Sequence, residues 1–481
     1  MTGILKRLFN FDSSETFVAF FIALTGLSLV SLYHGLNFLL QNLLIQDIYW
    51  YSSPHAHFSF VLLVFISVIY SLLFLNQKKL QVTFATAEKM IVAAYIISII
   101  SLPLFSRDLF AYLEFGRMWS VYGMNPYLNG YNSIQDAYSP YAWFGATTNY
   151  GPFATLLSYL PGLGTQVSAG YGIFIYKIQG LLVALGFVYV LKRLIQELKM
   201  SPAVFLLIAL HPLILIEGLI NTHNDLFLLP ILVFIIRFIH QKSWWKLCLL
   251  AAILPLFKTP LGIITAFLAI YFLITKKTRQ FIAISALTVL GMALFFSFLG
   301  SLSAISLYTK GSQLMNSFSF LGTCEWFVKQ MFFERYAKTG VQAMYQFGPK
   351  IGSALSLFFL LFISWKRKHH DIFQSLSTVL MVIVFFCATQ YWPWYSLWFV
   401  LFPFFVIEER FRVFGVLVGL TGFVIYSPLF SHFVDMGFEK AVTRVALPLI
   451  FIQYFLIFVG YHFYKNKNGD SLFTIKETDQ Q

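Results

Sequence analysis

Long apolar runs separated by short polar turns carry most of this chain. A bilayer core needs about 20 helical residues, and fewer where protein shelters a helix. With that ruler the pattern predicts roughly fourteen segments. They fall near residues 16–41, 58–76, 88–105, 171–191, 203–219, 224–239, 245–257, 260–275, 281–299, 350–365, 372–389, 395–408, 413–429 and 445–463. The apolar piece at 152–164 is short and flanked by Gly and Pro, so it reads as re-entrant or interfacial and not as a span.

Basic residues give the segments an order. Lys6 and Arg7 precede the first helix, and Lys78 and Lys79 end the second. Lys192, Arg193 and Lys199, then Arg237 and Lys242, then Lys276, Lys277 and Arg279, and finally Trp365-Lys366-Arg367-Lys368 and Lys465 with Lys467 continue the alternation. Under the positive-inside rule all of these are cytoplasmic, and so are both termini. The loop at 42–57 has no Lys or Arg, and the stretch from Arg107 to Gly170 has only two basic residues, so both are expected outside. A second large outer loop is expected at 300–349, which divides the chain into an N-terminal catalytic module, 1–280, with outer loop 106–170, and a C-terminal module, 281–481.

Composition agrees: 58% hydrophobic, 11% charged, with a mean hydropathy of +0.74. These values define an all-α, polytopic integral membrane protein with roughly 13–14 transmembrane helices. The net charge of +13 lies in short clusters between apolar runs, so it marks topology and not a nucleic-acid surface. Cys248, Cys324 and Cys387 are far apart and suggest neither a disulfide framework nor a metal site. The first apolar run lacks a small-residue cleavage pattern, so it is expected to remain as a helix.

Against this apolar background one stretch stands out. Ser106 to Arg117 holds two arginines and two carboxylates directly after an apolar run, and Gly123-Met124-Asn125-Pro126-Tyr127 continues it. As a helix it aligns Asp108, Ala111, Tyr112, Phe115 and Trp119 on one face, and Arg107, Glu114 and Met118 on another. Glu114 and Arg117, three apart, can pair. An interfacial helix with solvated charges is one reading of the stretch. Against it, a carboxylate at a membrane exit is costly to place without a task, and Asp108 there suits a general base.

Four further constellations fall on the same expected outer face. Asn149 to Pro152 includes Tyr150. Asn221-Thr222-His223-Asn224-Asp225 begins a helix, where Asn221 or Thr222 serves as a cap. Glu217, one turn earlier in an apolar span, requires a partner. Lys258, before Thr259-Pro260, fits a snorkelling lysine or a cation for a phosphate. Trp392, Trp394 and Tyr395 fit an aromatic belt more often than a sugar platform. No second His or Cys lies at ligand spacing from His223, so no metal is expected. A shared face does not by itself establish contact.

Taken together, the residues resemble the GT-C superfamily of integral membrane glycosyltransferases. Within it the chain looks most like the polyprenyl-phosphomannose-dependent alpha-mannosyltransferases of bacterial envelope lipoglycan synthesis. The likeness rests on Arg107-Asp108 with Tyr112, Gly116-Arg117, Asn125-Pro126-Tyr127, Tyr150-Gly151-Pro152, His223-Asn224-Asp225, Lys258 with Pro260, and Trp394-Tyr395. The resemblance implies a GT-C-like fold with a helical first outer loop bearing the catalytic acid, a lipid-monophosphate sugar donor and inversion at the anomeric carbon. Asp108 matches the acidic position. Arg107, Arg117, Lys258, His223, Asn224 and Asp225 become candidates for binding the donor phosphate or sugar. Tyr112, Tyr127, Tyr150, Trp392, Trp394 and Tyr395 become candidates for an acceptor or sugar platform. No cofactor is implied. The partners are the lipid-linked donor, a glycan or glycolipid acceptor and membrane lipids, at the outer face of the cytoplasmic membrane. The rival class is a transporter or flippase of lipid-linked sugars, which many spans and intramembrane charges also suit. The absence of visible self-similarity between the halves argues against it.

Overall fold

A computed structural model describes residues 13–40, 54–103, 105–142, 145, 147–148, 150–298, 337–366, 371–387 and 392–426. The expected helix at 445–463, residues 300–336 of the second expected outer loop, and Cys324 lie outside the described residues. Among the described residues every regular element is a helix, and no strand occurs. In order come α1 (Ser13–Leu40), α2 (Pro54–Leu75), α3 (Phe84–Ile99), α4 (Asp108–Ser120), α5 (Pro152–Leu157), α6 (Tyr159–Gly164), α7 (Ala169–Glu197) and α8 (Pro202–Ala209). Then follow α9 (Leu229–His240), α10 (Trp244–Phe257), α11 (Gly262–Ile274), α12 (Thr278–Phe298), α13 (Ala337–Lys366), α14 (Ile372–Val382) and α15 (Glu409–Thr421).

Among the described residues, four stretches are long and apolar enough to cross a membrane: Ser13–Tyr33, His57–Leu75, Ala169–Glu197 and Thr278–Ser297. Large apolar side chains such as Ile22, Val61, Leu182 and Val289 stand exposed on them, as lipid-facing surfaces require. Five shorter apolar stretches, Trp244–Phe257, Thr259–Ile274, Ile372–Phe385, Pro393–Phe405 and Phe411–Tyr426, lie at the expected segments 245–257, 260–275, 372–389, 395–408 and 413–429. The expected helix at 395–408 is corrected to two 3-10 turns, Pro393–Trp398 and Phe402–Phe405. These turns are mostly buried in protein, which frees them from the helical continuity that lipid exposure imposes. The expected outer loop at 300–349 is corrected at its end, since α13 begins at Ala337.

The expected single span at 203–219 is corrected to a bent pair, α8 and the π-helical segment Ile214–Ile220, which meet at 47°. The break follows from His211-Pro212. Pro212 has no N–H for the Ile208 carbonyl, and the Leu213 N–H goes to His211 Nδ1 at 3.2 Å. Backbone carbonyls freed by this break find donors on neighbouring helices: Tyr70 of α2 donates to Leu207 O at 2.9 Å, and Tyr95 of α3 to Ala209 O at 3.2 Å. All of Ala203 to Ala209 is buried, so α8 is the central column of the bundle, apolar on every side.

The two ends of the bundle differ in chemistry. At one end Lys192 of α7 pairs with Glu88 of α3 at 2.7 Å, and Arg237 of α9 pairs with Glu197 of α7. At the other end α3 stops, and α4, α5 and α6 form a small cap before α7 begins. Residues 152–164 form the two short helices α5 and α6 and no span. Gly116 and Gly162 let α4 and α6 touch backbone to backbone: a Cβ on Gly162 would collide with Gly116 C and Arg117 N, and one on Gly116 with Ser158 O.

Candidate active site

Asp108 opens α4, and its N–H donates to Ser106 Oγ at 3.2 Å. A carboxylate in a first helical turn is favoured by the free N–H groups there. Tyr112, one turn on, lies on the same face. Tyr150 arrives from the loop after α4, held by two contacts. Its carbonyl accepts the Tyr127 hydroxyl at 2.9 Å, and the next N–H, of Gly151, donates to Phe257 O at 2.7 Å. A Cβ at Gly151 would strike the Leu256 carbonyl, so this docking depends on glycine.

The segment from Glu217 to Asp225 supplies the other wall. Asn221 or Thr222 is expected as a helix cap; the structure instead makes His223 the cap residue of Asn224–Leu228, with no side-chain cap bond. Asn221 Oδ1 accepts the Phe105 N–H at 3.0 Å, and its Nδ2 donates to Glu217 Oε2 at 2.9 Å. Thr222, at φ +58°, turns its hydroxyl back to the Leu219 and Ile220 carbonyls at 3.1 and 3.3 Å. The same two carbonyls accept the buried Lys177 ammonium of α7 at 3.0 and 3.2 Å. A β-branched residue in the left-handed region is strained, and here these bonds hold it in place. The turn presents His223 and begins the 3-10 segment Asn224–Leu228, in which Asn224 and Asp225 are buried.

His223 is the hub where these elements meet. Its Nδ1 lies 3.3 Å from the Tyr112 hydroxyl and 3.6 Å from Asp108 Oδ2, while Nε2 lies 3.5 Å from Glu217 Oε2. Tyr150 donates to the same Asp108 Oδ2 at 3.0 Å. Trp394 stacks on the imidazole with centroids 4.0 Å apart, and Trp392 stacks on Trp394 at 5.2 Å. These tryptophans therefore join the cluster instead of forming a dispersed belt. Tyr112 also stacks on Tyr176 at 5.6 Å.

Lys258 anchors the adjoining corner. Its ammonium bridges both oxygens of Asp225, at 3.0 and 3.2 Å, and Trp398 donates its indole N–H to Asp225 Oδ1. Tyr395, Tyr150 and Trp398 place rings 5.0, 5.5 and 5.5 Å from the same ammonium. Asp225 is thereby the partner of Lys258, and Tyr395 stacks on Trp398 at 4.5 Å.

Thus Asp108, Tyr112, Tyr150, His223, Asp225, Lys258, Trp392, Trp394 and Tyr395, expected from sequence as separate motifs, come together. Arg107 lies beside Asp108, partly exposed, just before α4. Arg117 is corrected. It faces away from the cluster: Nε and Nη2 bind Asp136 at 2.7 Å and Nη1 donates to Thr165 at 2.8 Å. Glu114, expected to pair with Arg117, accepts the Gly145 N–H at 3.0 Å. Tyr127 is fully buried and holds the Tyr150 loop from behind, so it offers no open platform. Glu217, Asn221, Tyr176 and Trp398 complete the site without having been singled out as site residues. Glu217 announces itself in the sequence as an intramembrane carboxylate and Asn221 as a cap candidate, whereas Tyr176 and Trp398 carry no local signal.

Burial pushes the Asp108 carboxyl up to about 6, against the opposing pull of Lys258 and the Tyr150 hydroxyl. A carboxylate in that range can accept a proton near neutral pH and return it. Among the described residues, no group of three His, Cys, Asp or Glu is placed to hold a metal ion.

The fold is that of an all-helical, polytopic membrane protein, with a carboxylate, Asp108, at the start of the helix that opens its capping loop. The chain belongs to the MptA_B family, whose profile, alpha-(1->6)-mannopyranosyltransferase, N-terminal domain, matches residues 16–274, more than half of its length. It is accordingly an alpha-mannosyltransferase of the GT-C type. A comparison with curated proteins finds no match.

Proposed function

We propose that this mannosyltransferase takes mannose from a polyprenyl-phosphate donor and passes it, with inversion, to a glycan or glycolipid hydroxyl of the cell envelope. Asp108 is the base. It accepts the acceptor's hydroxyl proton as the oxygen attacks the anomeric carbon, the bond from that carbon to the phosphate oxygen breaks, and polyprenyl phosphate leaves with the electron pair. The observation that carries this reading is the partly buried Asp108 carboxylate, held by Tyr150 beside His223 and the Trp392–Trp394 stack.

Arg107 and Lys258 supply positive charge for the departing phosphate. Trp392, Trp394 and Tyr395 suit the C–H faces of sugar rings, and apolar helices suit the polyprenyl tail. A single donor phosphate carries less charge than a nucleotide diphosphate, so the reading requires neither metal nor cofactor. We place the site at the outer face of the cytoplasmic membrane with both termini inside. The opposite end of the bundle carries the basic residues Lys192 and Arg237, which supports that orientation. Purified enzyme in proteoliposomes should transfer mannose from synthetic polyprenyl-phosphate mannose and not from a nucleotide-linked mannose. NMR of the product should show the anomeric configuration opposite to the donor's. Transfer from the nucleotide sugar alone would exclude the lipid donor.

A further inference from the structure

The hydrogen bonds behind His223 have a fixed direction. A backbone N–H can only donate, so the Phe105 N–H, 3.0 Å from Asn221, fixes that end of the amide as the oxygen. The other end, Nδ2, must then donate to Glu217 Oε2 at 2.9 Å, which makes Oε2 an acceptor. His223 Nε2 faces this same acceptor oxygen at 3.5 Å, with both side chains wholly buried. A lone pair on Nε2 would oppose a lone pair on Oε2 in a water-free interior, where such repulsion is large. Nε2, 3.5 Å from an oxygen engaged as an acceptor and with no nearer hydrogen-bond partner among the described residues, is therefore assigned the proton, since the Tyr112 hydroxyl beside Nδ1 can donate. Nδ1, left with the lone pair, is the acceptor for the buried Tyr112 hydroxyl at 3.3 Å. The stack with Trp394 holds the ring plane.

We propose that Glu217, oriented by Asn221, is a positioning residue that keeps His223 in its Nε2–H tautomer, so that Asp108 faces an unprotonated nitrogen. The inference rests on Asp108 as the base and explains how that base keeps its strength. An N–H at Nδ1, 3.6 Å from Asp108 Oδ2, would favour the ionised carboxylate and weaken its pull on the acceptor's proton. A lone pair there does the opposite. His223 is then no cation for the donor phosphate, and its task is to leave Asp108 a strong acceptor.

The test is the 15N spectrum of histidine-labelled full-length protein in lipid nanodiscs near neutral pH. The chain has 10 histidines, and the signals lost in His223→Gln belong to this ring. The expected wild-type pattern is a protonated Nε2 and a lone-pair Nδ1. Glu217→Gln should preserve it, because the amide oxygen still accepts. Glu217→Met should move the proton to Nδ1, toward Asp108. Its kcat should fall about 10- to 100-fold, the usual effect of losing an orienting partner, with KM nearly unchanged, and Gln should restore most of the rate. A wild-type Nδ1–H or doubly protonated ring, or an Nε2–H pattern unchanged in Glu217→Met, would overturn the proposal. If Glu217→Met does not fold, the wild-type and Glu217→Gln spectra decide. These spectra need no sugar donor, so their failure refutes the role of Glu217 alone. Full turnover by Asp108→Asn would instead refute the base and leave the tautomer standing.

Discussion

Tyr150 and Asp108 are 42 residues apart in sequence and 3.0 Å apart in space, the phenol donating to carboxylate oxygen Oδ2. That bond favours the ionised carboxylate and partly offsets the burial that pushes Asp108 up to about 6. With Asp108 as the proposed base, it thereby sets the pH at which that base would work.

Tyr150→Phe removes the bond and should raise the Asp108 pKa further. Transfer needs ionised Asp108, so activity is lost as pH falls through that pKa. The acid limb of the kcat profile should therefore move to higher pH in the variant. An unmoved limb would show that Asp108 does not govern it.

Lys258→Met leaves Asp225 charged and buried without its cation. Breaking a buried pair from one side costs about 3–5 kcal/mol, so thermal unfolding in detergent should fall sharply. Lys258→Met with Asp225→Asn removes both charges and should recover much of the loss.

Arg117 binds Asp136 and Thr165, and on the proposed reading it holds the loop and does not bind the donor. Arg117→Met should lower thermal stability while leaving the KM for the lipid donor nearly unchanged, measured by initial rates. Its partner Asp136 gives a pH signature. Burial raises the Asp136 carboxyl, but hydrogen bonds from Tyr122, Arg117, Tyr131 and the Tyr138 backbone outweigh it and hold it down to about 2, against 3.8 when free. A depressed carboxylate contributes stability that is present above the free value and lost as pH falls through the folded one. The loss should fall between about pH 4 and 2, and Asp136→Asn should flatten it.

Gly162→Ala drives a methyl into the α4 backbone at Gly116. Overpacking of this kind costs about 1–3 kcal/mol, and the shift of α4 should also reduce kcat. A variant with unchanged Tm and kcat would show that the crossing tolerates separation.

The long spans were legible because lipid leaves no choice: α1, α2, α7 and α12 must be apolar and continuous. The buried elements were not. The apolar run at 395–408 reads as a helix, yet Pro393 and Pro403 start two 3-10 turns that protein contacts can tolerate. Asp108 was conspicuous as a carboxylate at a membrane exit, and so was the demand of Glu217 for a partner. Which groups answer them depends on tertiary docking, such as Gly151 on the Phe257 carbonyl, and no local pattern encodes that. Arg117 shows the same limit: the Glu114 spacing suggested a helical pair, but Asp136, 19 residues on, binds it in two places.

The most direct measurement is mannose transfer from synthetic polyprenyl-phosphate mannose by purified Asp108→Asn beside the wild type. Asn keeps the size and polarity of Asp but cannot take the proton. The rate should drop about 10²- to 10⁴-fold with Tm and donor binding preserved. Undiminished turnover in that variant would contradict Asp108 as the base.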